Sequence, residues 1–188
     1  MIYDFLGSEH YESVSCVVDG DYDVFNAFQG SPVAENWKPV RVERGPKSEG
    51  DPGLPSDFPW LTRNELIMRT RAVVALRDML EAGGEILPLA TDDGVALYAF
   101  NVTRVLDAMD EENSIIKRFP DGQIMFVSAF AFRESMVRDE PFFKLPYRGC
   151  PILVGERFKE RVHAAGLVGL DFRMVWSPEH GAVPRKFC

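Results

Sequence analysis

The sequence predicts an α+β domain with a mixed, mainly antiparallel sheet and two short helices. Three observations carry that prediction. Pro151 to Trp176 runs as a strand, a short helix and a strand, and residues 66–90 repeat that order. The other strand-like segments are joined by tight turns with no regular β-α-β alternation, which argues against a doubly wound parallel sheet. At 188 residues the chain is most simply one domain with a sizeable core.

Taken in order, Ser13 to Val18 and Tyr22 to Phe28 read as strands about an Asp19-Gly-Asp21 turn, and Lys38 to Val42 as a further strand. Asp19-x-Asp21-x-Asp23 begins like a calcium loop. However, Val24 and Gly30 stand where that loop needs Gly at its sixth and Glu at its twelfth position, so a solvated turn is the reading. Between Arg44 and Asp57, the breakers Gly45, Pro46, Gly50, Pro52, Gly53 and Pro55 predict a long surface loop. We take it as the joint between an acidic amino-terminal extension, residues 1–56, and a body, residues 57–188.

In the body, Thr70 is placed to cap a helix reaching about Ala82, with Ala72, Leu76 and Met79 on one face and Gly83-Gly84 as its stop. Thr62-x-x-Glu65 fits a capping box for a longer helix. Glu85–Ala90 and Ala96–Val102 read as hairpin strands about Asp92-Asp93-Gly94, and Pro88 marks an edge. Val105 to Glu112 reads as a helical turn. Gln123 to Phe132 reads as a long apolar strand whose Phe126, Phe130 and Phe132 form a core stripe. In the last unit Phe158, Val162 and Ala165 share a helix face between an N-cap Gly155 and a C′ Gly166. Leu170, Phe172, Met174 and Trp176 then alternate with Asp171, Arg173 and Val175, the period of a half-buried strand. Met68-Arg-Thr-Arg71 aligns with Val154-Gly-Glu-Arg157 and the two apolar triplets align with each other, which suggests an internal duplication.

Charge is unevenly placed. The net charge is −8, and residues 1–60 alone hold eleven carboxylates against four Lys or Arg. Met1 to Trp37 contains seven carboxylates and no Lys or Arg. Such a field repels nucleic acid and lipid headgroups and attracts basic partners. Gly122 to Phe132, a long uncharged stretch, is too short to span a bilayer, and Met-Ile-Tyr-Asp-Phe lacks the features of a signal peptide. A cytoplasmic location is therefore expected. Cys16, Cys150 and Cys188 form no CxxC, so neither a disulfide framework nor a zinc knuckle is expected; Cys16 and Cys150 read as packing residues and Cys188 as a tail residue.

No nucleophile elbow, HExxH, P-loop or GxGxxG is present. Ser8-Glu-His10 lacks a framing glycine turn, and His163 reads as a partly exposed helix residue. Asp107, Asp110, Glu111 and Glu112 are the densest carboxylate cluster. A divalent cation held there would open a metal-dependent hydrolase reading with His163, but a solvated turn is the simpler account. Asn101-Val-Thr103 matches a glycosylation sequon inside an expected strand and is set aside. No catalytic, cofactor-binding or metal-binding residues are assigned.

Asp57-Phe-Pro-Trp-Leu, Gly84-Glu-Ile-Leu-Pro-Leu, Asn101-Val-Thr-Arg-Val, Asp107-x-x-Asp110 with Ser114, and the Ile152 to Trp176 unit together resemble a bacterial family. It was long filed as a domain of unknown function and is now classed among immunity proteins of polymorphic toxin systems. The resemblance runs from about Asp57 to Trp176, with Phe142-Phe-Lys-Leu-Pro and the final unit its most specific part. Gly155 is a departure, since such proteins often carry Ser or Thr as that helix cap. The resemblance implies a non-enzymatic antidote that binds a toxin encoded by an adjacent gene. For a basic nuclease toxin the acidic amino-terminal segment would dock by charge, with Asp19, Asp21 and Asp23 as first candidates for contacts. The competing classes are a hydrolase using Asp107 and Asp110, and an adaptor that loads an effector without inhibiting it.

Overall fold

The structure, a computed structural model, describes residues 1–184; Cys188 lies outside the described residues. It opens with β1 (Ile2–Gly7), β2 (Ser13–Cys16), a 3-10 helix (Asp19–Ala27), a single 3-10 turn (Ala34–Asn36) and β3 (Val42–Gly45). Next come β4 (Leu66–Arg69), α1 (Thr70–Gly83), β5 (Gly84–Pro88) and β6 (Leu97–Val102). Then follow β7 (Ile115–Arg118), β8 (Ile124–Ala129), the one-turn α2 (Glu134–Val137) and β9 (Phe142–Phe143). The chain continues with β10 (Leu153–Gly155), α3 (Glu156–Ala164), β11 (Leu170–Ser177) and β12 (Gly181–Ala182). The named strands pair antiparallel, so the fold is α+β.

Both strand–helix–strand units are present, and both have the same architecture. In the first, β6 lies between β4 and β5; in the second, β1 lies between β10 and β11 and pairs with both. Each helix therefore joins two strands that are separated by a third running the other way. The third strand of the first unit follows directly by the Gly94 hairpin, whereas that of the second comes from residues 2–7. Residues 1–56, expected as an extension, thus supply the central strand of the five-stranded sheet β12-β11-β1-β10-β9.

Side-chain alternation along these strands divides the interior into three cores. Leu66, Met68, Phe100, Val102, Tyr3, Phe5, Val154 and Phe142 meet α1 and α3 in the central one. Ile67, Leu87, Leu97 and Ala99 face the other way, onto Phe25, Phe28, Val40 and Val42. Ile2, Leu153 and Phe143 face a third core with Phe130, Phe132 and Trp176. The predicted triplet Ala72, Leu76 and Met79 is buried; Phe158 and Val162 are too, with Ala165 half-buried against them. The two helices run antiparallel. Arg71, in the first turn of α1, donates to the carbonyls of Ala165 and Gly166 just past α3, while Arg157 opens α3 beside Met79, Ala82 and Gly83 at the end of α1.

Six local expectations are corrected. Tyr22 to Phe28 is helical, not a strand, because Phe25 and Phe28 at i and i+3 both reach the core, a spacing that the three-residue period of a 3-10 helix satisfies. Val105 to Met109 is extended, not a helical turn, with Val105 bridging Lys144 and Met109 bridging Phe132; only Glu111 to Asn113 form a turn. Thr70 supplies no cap bond to α1, and Thr62 and Glu65 bond across a tight turn instead of starting a helix. Trp176 leaves the face of Leu170, Phe172 and Met174. The register slips where Ile2 pairs Trp176 but Tyr3 pairs Met174, and this bulge turns the indole onto Phe132, 5.7 Å away. Phe126 is likewise turned out, over Lys117, while Phe130 and Phe132 stack in the core.

Gly155 is required by close packing. Its amide donates to the Pro141 carbonyl at 2.9 Å, and a Cβ there would lie 2.1 Å from the Glu140 carbonyl oxygen. A capping hydroxyl cannot be gained without that backbone collision. Gly155→Ser should therefore lower stability in urea denaturation by about 1–3 kcal/mol, the cost of overpacking a fitted site, and not raise it as a new N-cap would.

Candidate functional site

The acidity of residues 1–60 is of two physically different kinds. Asp4, Glu12 and Asp57 are buried, and each is matched by arginine. Arg173 grips Asp4 with Nε and Nη2 at 3.1 and 2.6 Å, tying β1 to β11. Glu12 accepts from Arg44 Nη1 at 2.6 Å, Arg69 Nε at 3.1 Å and the Ser56 amide at 3.0 Å. Asp57 accepts from Arg71 Nη1 at 2.6 Å and the Val168 amide at 2.9 Å. The Asp57-Phe-Pro-Trp-Leu motif is thus a clasp between the start of α1 and the loop before β11. Held by these arginines, of which Arg71 is itself largely exposed, the buried carboxylates are not available to an outside partner.

Asp19, Asp21 and Asp23 are the other kind. They lie in the 3-10 helix, with Asp19 and Asp23 exposed and Asp21 half-exposed; Asp23 accepts from Asn26 Nδ2 at 3.0 Å. Around them Val17, Val18, Tyr22 and Val24 are unusually exposed for apolar side chains, Val18 at 55%. The inner face of the helix is an aromatic floor. Phe25 and Phe28 meet edge to face at 5.5 Å, and Trp37 lies 5.7 Å from Phe28 with its indole N–H on the Pro88 carbonyl at 2.8 Å. Between the helix and the segment after it opens a groove of about 360 Å³, with Val24 and Ala27 from the helix and Pro32, Val33 and Trp37 from that segment. Asn36 and Lys38 complete its lining.

Three polar side chains from the body hold this segment in place. The buried Lys144 donates to the Phe28 carbonyl at the end of the helix. The fully buried Asn101 donates to the Ser31 carbonyl at 2.9 Å. Glu85 accepts from the amides of Val33 and Ala34, at 2.7 and 3.1 Å, and from Asn101. Burial pushes the Glu85 carboxyl up, but the Val33 amide, Asn101 and the Ala34 amide outweigh it and hold the group below the usual carboxylate range. Sequence reasoning missed all three. In the sequence Asn101 stands out only as part of a sequon and of a family motif, and residues 51 to 116 positions apart give no local signal of contact.

The Asp107–Glu112 cluster is dispersed onto internal partners. Arg133 pairs with Asp107 at 3.2 Å, Asn113 donates to Asp110 at 2.7 Å and Arg118 bonds Glu111. The Asn113 side chain, helped by the Asn113 and Glu112 amides and Arg133, holds the Asp110 carboxyl below its ordinary value against desolvation. Among the described residues no three His, Cys, Asp or Glu side chains are grouped to hold a metal ion. His163 is exposed and packs edge to face with Phe172 at 5.7 Å. No helix among the described residues is long and apolar enough to cross a membrane.

Two stability tests follow from these contacts. Glu12→Ala leaves two arginines facing an empty site and should cost about 3–5 kcal/mol in urea denaturation, whereas Asp19→Lys should stay within about 0.5 kcal/mol. Glu65 is buried, and burial pushes its carboxyl up, against the smaller effects of the Thr62 hydroxyl and Lys144. A raised carboxyl contributes stability below the ordinary carboxylate range that is lost as pH climbs through the raised value. Glu65→Gln should therefore gain on the wild type as pH rises from about 4, read from denaturation midpoints across pH.

Residues 90–177 match the model of an immunity protein family (Imm11). The resemblance is thus found over β6 to β11, including Asn101-Val-Thr-Arg-Val and the Ile152 to Trp176 unit, and it stops short of Asp57-Phe-Pro-Trp-Leu and Gly84 to Leu89. No curated protein matches the chain. The 3-10 helix and its groove lie outside the matched residues.

Proposed function

We propose that the protein is a cytoplasmic immunity protein that binds a cognate toxin, encoded by an adjacent gene, and neutralises it by covering the toxin's active face. The match of residues 90–177 to an immunity family carries this reading. In the densest carboxylate cluster, Asp107, Asp110 and Glu111 are engaged by Arg133, Asn113 and Arg118. We further take the toxin to be basic, a nuclease being the leading case, with the 3-10 helix as docking element. Asp19, Asp21 and Asp23 stand there beside exposed Val18, Tyr22 and Val24, so charge steers the encounter and apolar contact holds it.

The test is to induce the neighbouring gene in a heterologous host with and without this protein, and then to purify the pair. Growth arrest relieved only by co-expression, with a stable complex, is the expected result. Arrest that persists despite co-expression would remove the antidote role for this pair, and a complex whose toxin stays active would favour an adaptor. Reversing Asp19, Asp21 and Asp23 to Lys should slow association about tenfold or more at low salt, with the difference shrinking as salt is added.

A further inference from the structure

The rest of the chain builds a slot for β1. On one side lies β10 and on the other β11, so the strand is paired along both edges. Ile2 enters one core, and Tyr3 and Phe5 enter another. The slot also discriminates. Arg173 grips Asp4 with two bonds, Glu156 accepts from the Tyr3 hydroxyl at 2.6 Å, and the bulge between Ile2 and Tyr3 sets the register. A strand shifted by one residue would turn Asp4 away from Arg173 and its apolar set away from the cores. A strand patterned as Ile2-Tyr3-Asp4-Phe5 meets all of these demands, and every copy of this chain carries one.

The connection from β1 to β2 is short and strained. Ser8 still belongs to the slot, with its amide on the Gly169 carbonyl at 3.0 Å and its hydroxyl on Asp171 at 2.8 Å. By Tyr11 and Glu12 the chain is fastened elsewhere. Tyr11 bridges Leu54, the Glu12 amide donates to the Leu54 carbonyl at 2.9 Å, and β2 then pairs with β3. Glu9 and His10, both exposed, form the turn between these two attachments. His10 does so at φ 66°, the one positive value outside glycine among the described residues. That region is unfavourable for a residue with a Cβ, whereas glycine occupies it freely. A straight connection would relieve His10, but it would send β1 away from its own slot.

We propose that β1 is an exchangeable strand, which two copies of the protein trade so that each completes the other's five-stranded sheet. The bonds from β1 to β10, β11, Glu156 and Arg173 are then remade between copies, and the strain at His10 is released in both. Exchange of an identical element is an accessible route to a dimer, and a short strained hinge favours it. A strand of other sequence would have to bring a carboxylate to the position of Asp4, so a second copy is the occupant that the slot selects. The 3-10 helix, Asp19–Ala27, lies beyond the hinge and stays with its own body, so an exchanged dimer presents two candidate docking elements.

The experiment refolds the full-length protein from urea in dilute and in concentrated solution, and reads mass by light scattering after size-exclusion chromatography. Wild type is expected to give a dimer whose share rises with refolding concentration. That dimer should persist on dilution, since return to the monomer requires the sheet to open. His10→Gly makes the turn without strain and should lower the dimer share about fivefold or more. His10→Pro, with φ held at about −65°, cannot make the turn and should raise it by a similar factor. Mixing two further variants tells exchange from surface association. Asp4→Lys alone sets a cation against Arg173, and Arg173→Asp alone sets a carboxylate against Asp4, in monomer and dimer alike. Refolded together, the two can match both charges only by trading β1, so folded dimer should come from the mixture and from neither variant alone. His10→Gly and the mixture carry the test if His10→Pro does not fold. A wild type that stays monomeric at every refolding concentration would overturn the proposal. So would a wild-type dimer that His10→Gly leaves unchanged and the mixture does not reproduce.

Discussion

A carboxylate withdrawn from water must find a cation or a set of donors, and this requirement holds the molecule together. Glu12 is the clearest case. It sits 3% exposed, and it collects Arg44 from β3, Arg69 from the junction of β4 and α1, and the Ser56 amide from the long loop. Without that carboxylate, two guanidinium groups would face each other at short range. Asp4 and Asp57 do the same for β11 and for the helix pair. Interior pairs of this kind add little net stability over an apolar replacement, but they tolerate the loss of one partner badly. Their effect is to fix which segments are neighbours. The breaker-rich segment between Arg44 and Asp57, which reads as a long surface loop, is bound down at Leu54, Ser56 and Asp57 by backbone and carboxylate contacts.

What the sequence displayed was whatever repeats at short range. The apolar spacing of α1 and α3, the left-handed Gly166 after α3, the Gly94 hairpin and the edge position of Pro88 all follow from residues within one or two turns of each other. The misreadings share a cause too. Phe25 and Phe28 look like strand residues until Val42 and Leu97 are known to lie beneath them, and the face of Trp176 depends on a slip against Ile2, at the other end of the chain. The candidate site was half legible. Its aspartates could be picked out from an absence of basic residues, while its groove, made by Val24, Val33 and Trp37 around an aromatic floor, required the fold.

The family match and the candidate docking element occupy different parts of the sequence but are mechanically continuous. Lys144 and Asn101, both within residues 90–177, reach out of that stretch to the Phe28 and Ser31 carbonyls. Burial pushes the Lys144 ammonium down, against the opposing influence of Cys150 and Glu65, so its charge is held in a setting that tolerates few alternatives.

The position of β1 bears on how the protein comes into being. Residues 2–7 leave the ribosome long before their partners, which begin at Leu153 and Leu170, so the five-stranded sheet cannot close until those later strands have been made. The β4-β6-β5 sheet has no such delay, because its strands all lie within residues 66–102. Synthesis therefore imposes an order, with one sheet able to form on the nascent chain and the other waiting for a long loop to close. Until then an apolar strand, Ile2-Tyr3-Asp4-Phe5, is left without a partner, and a ribosome that stalls before Leu170 would release a chain with an open edge. Activity that depends on the finished fold would then appear as an all-or-none property of completed chains.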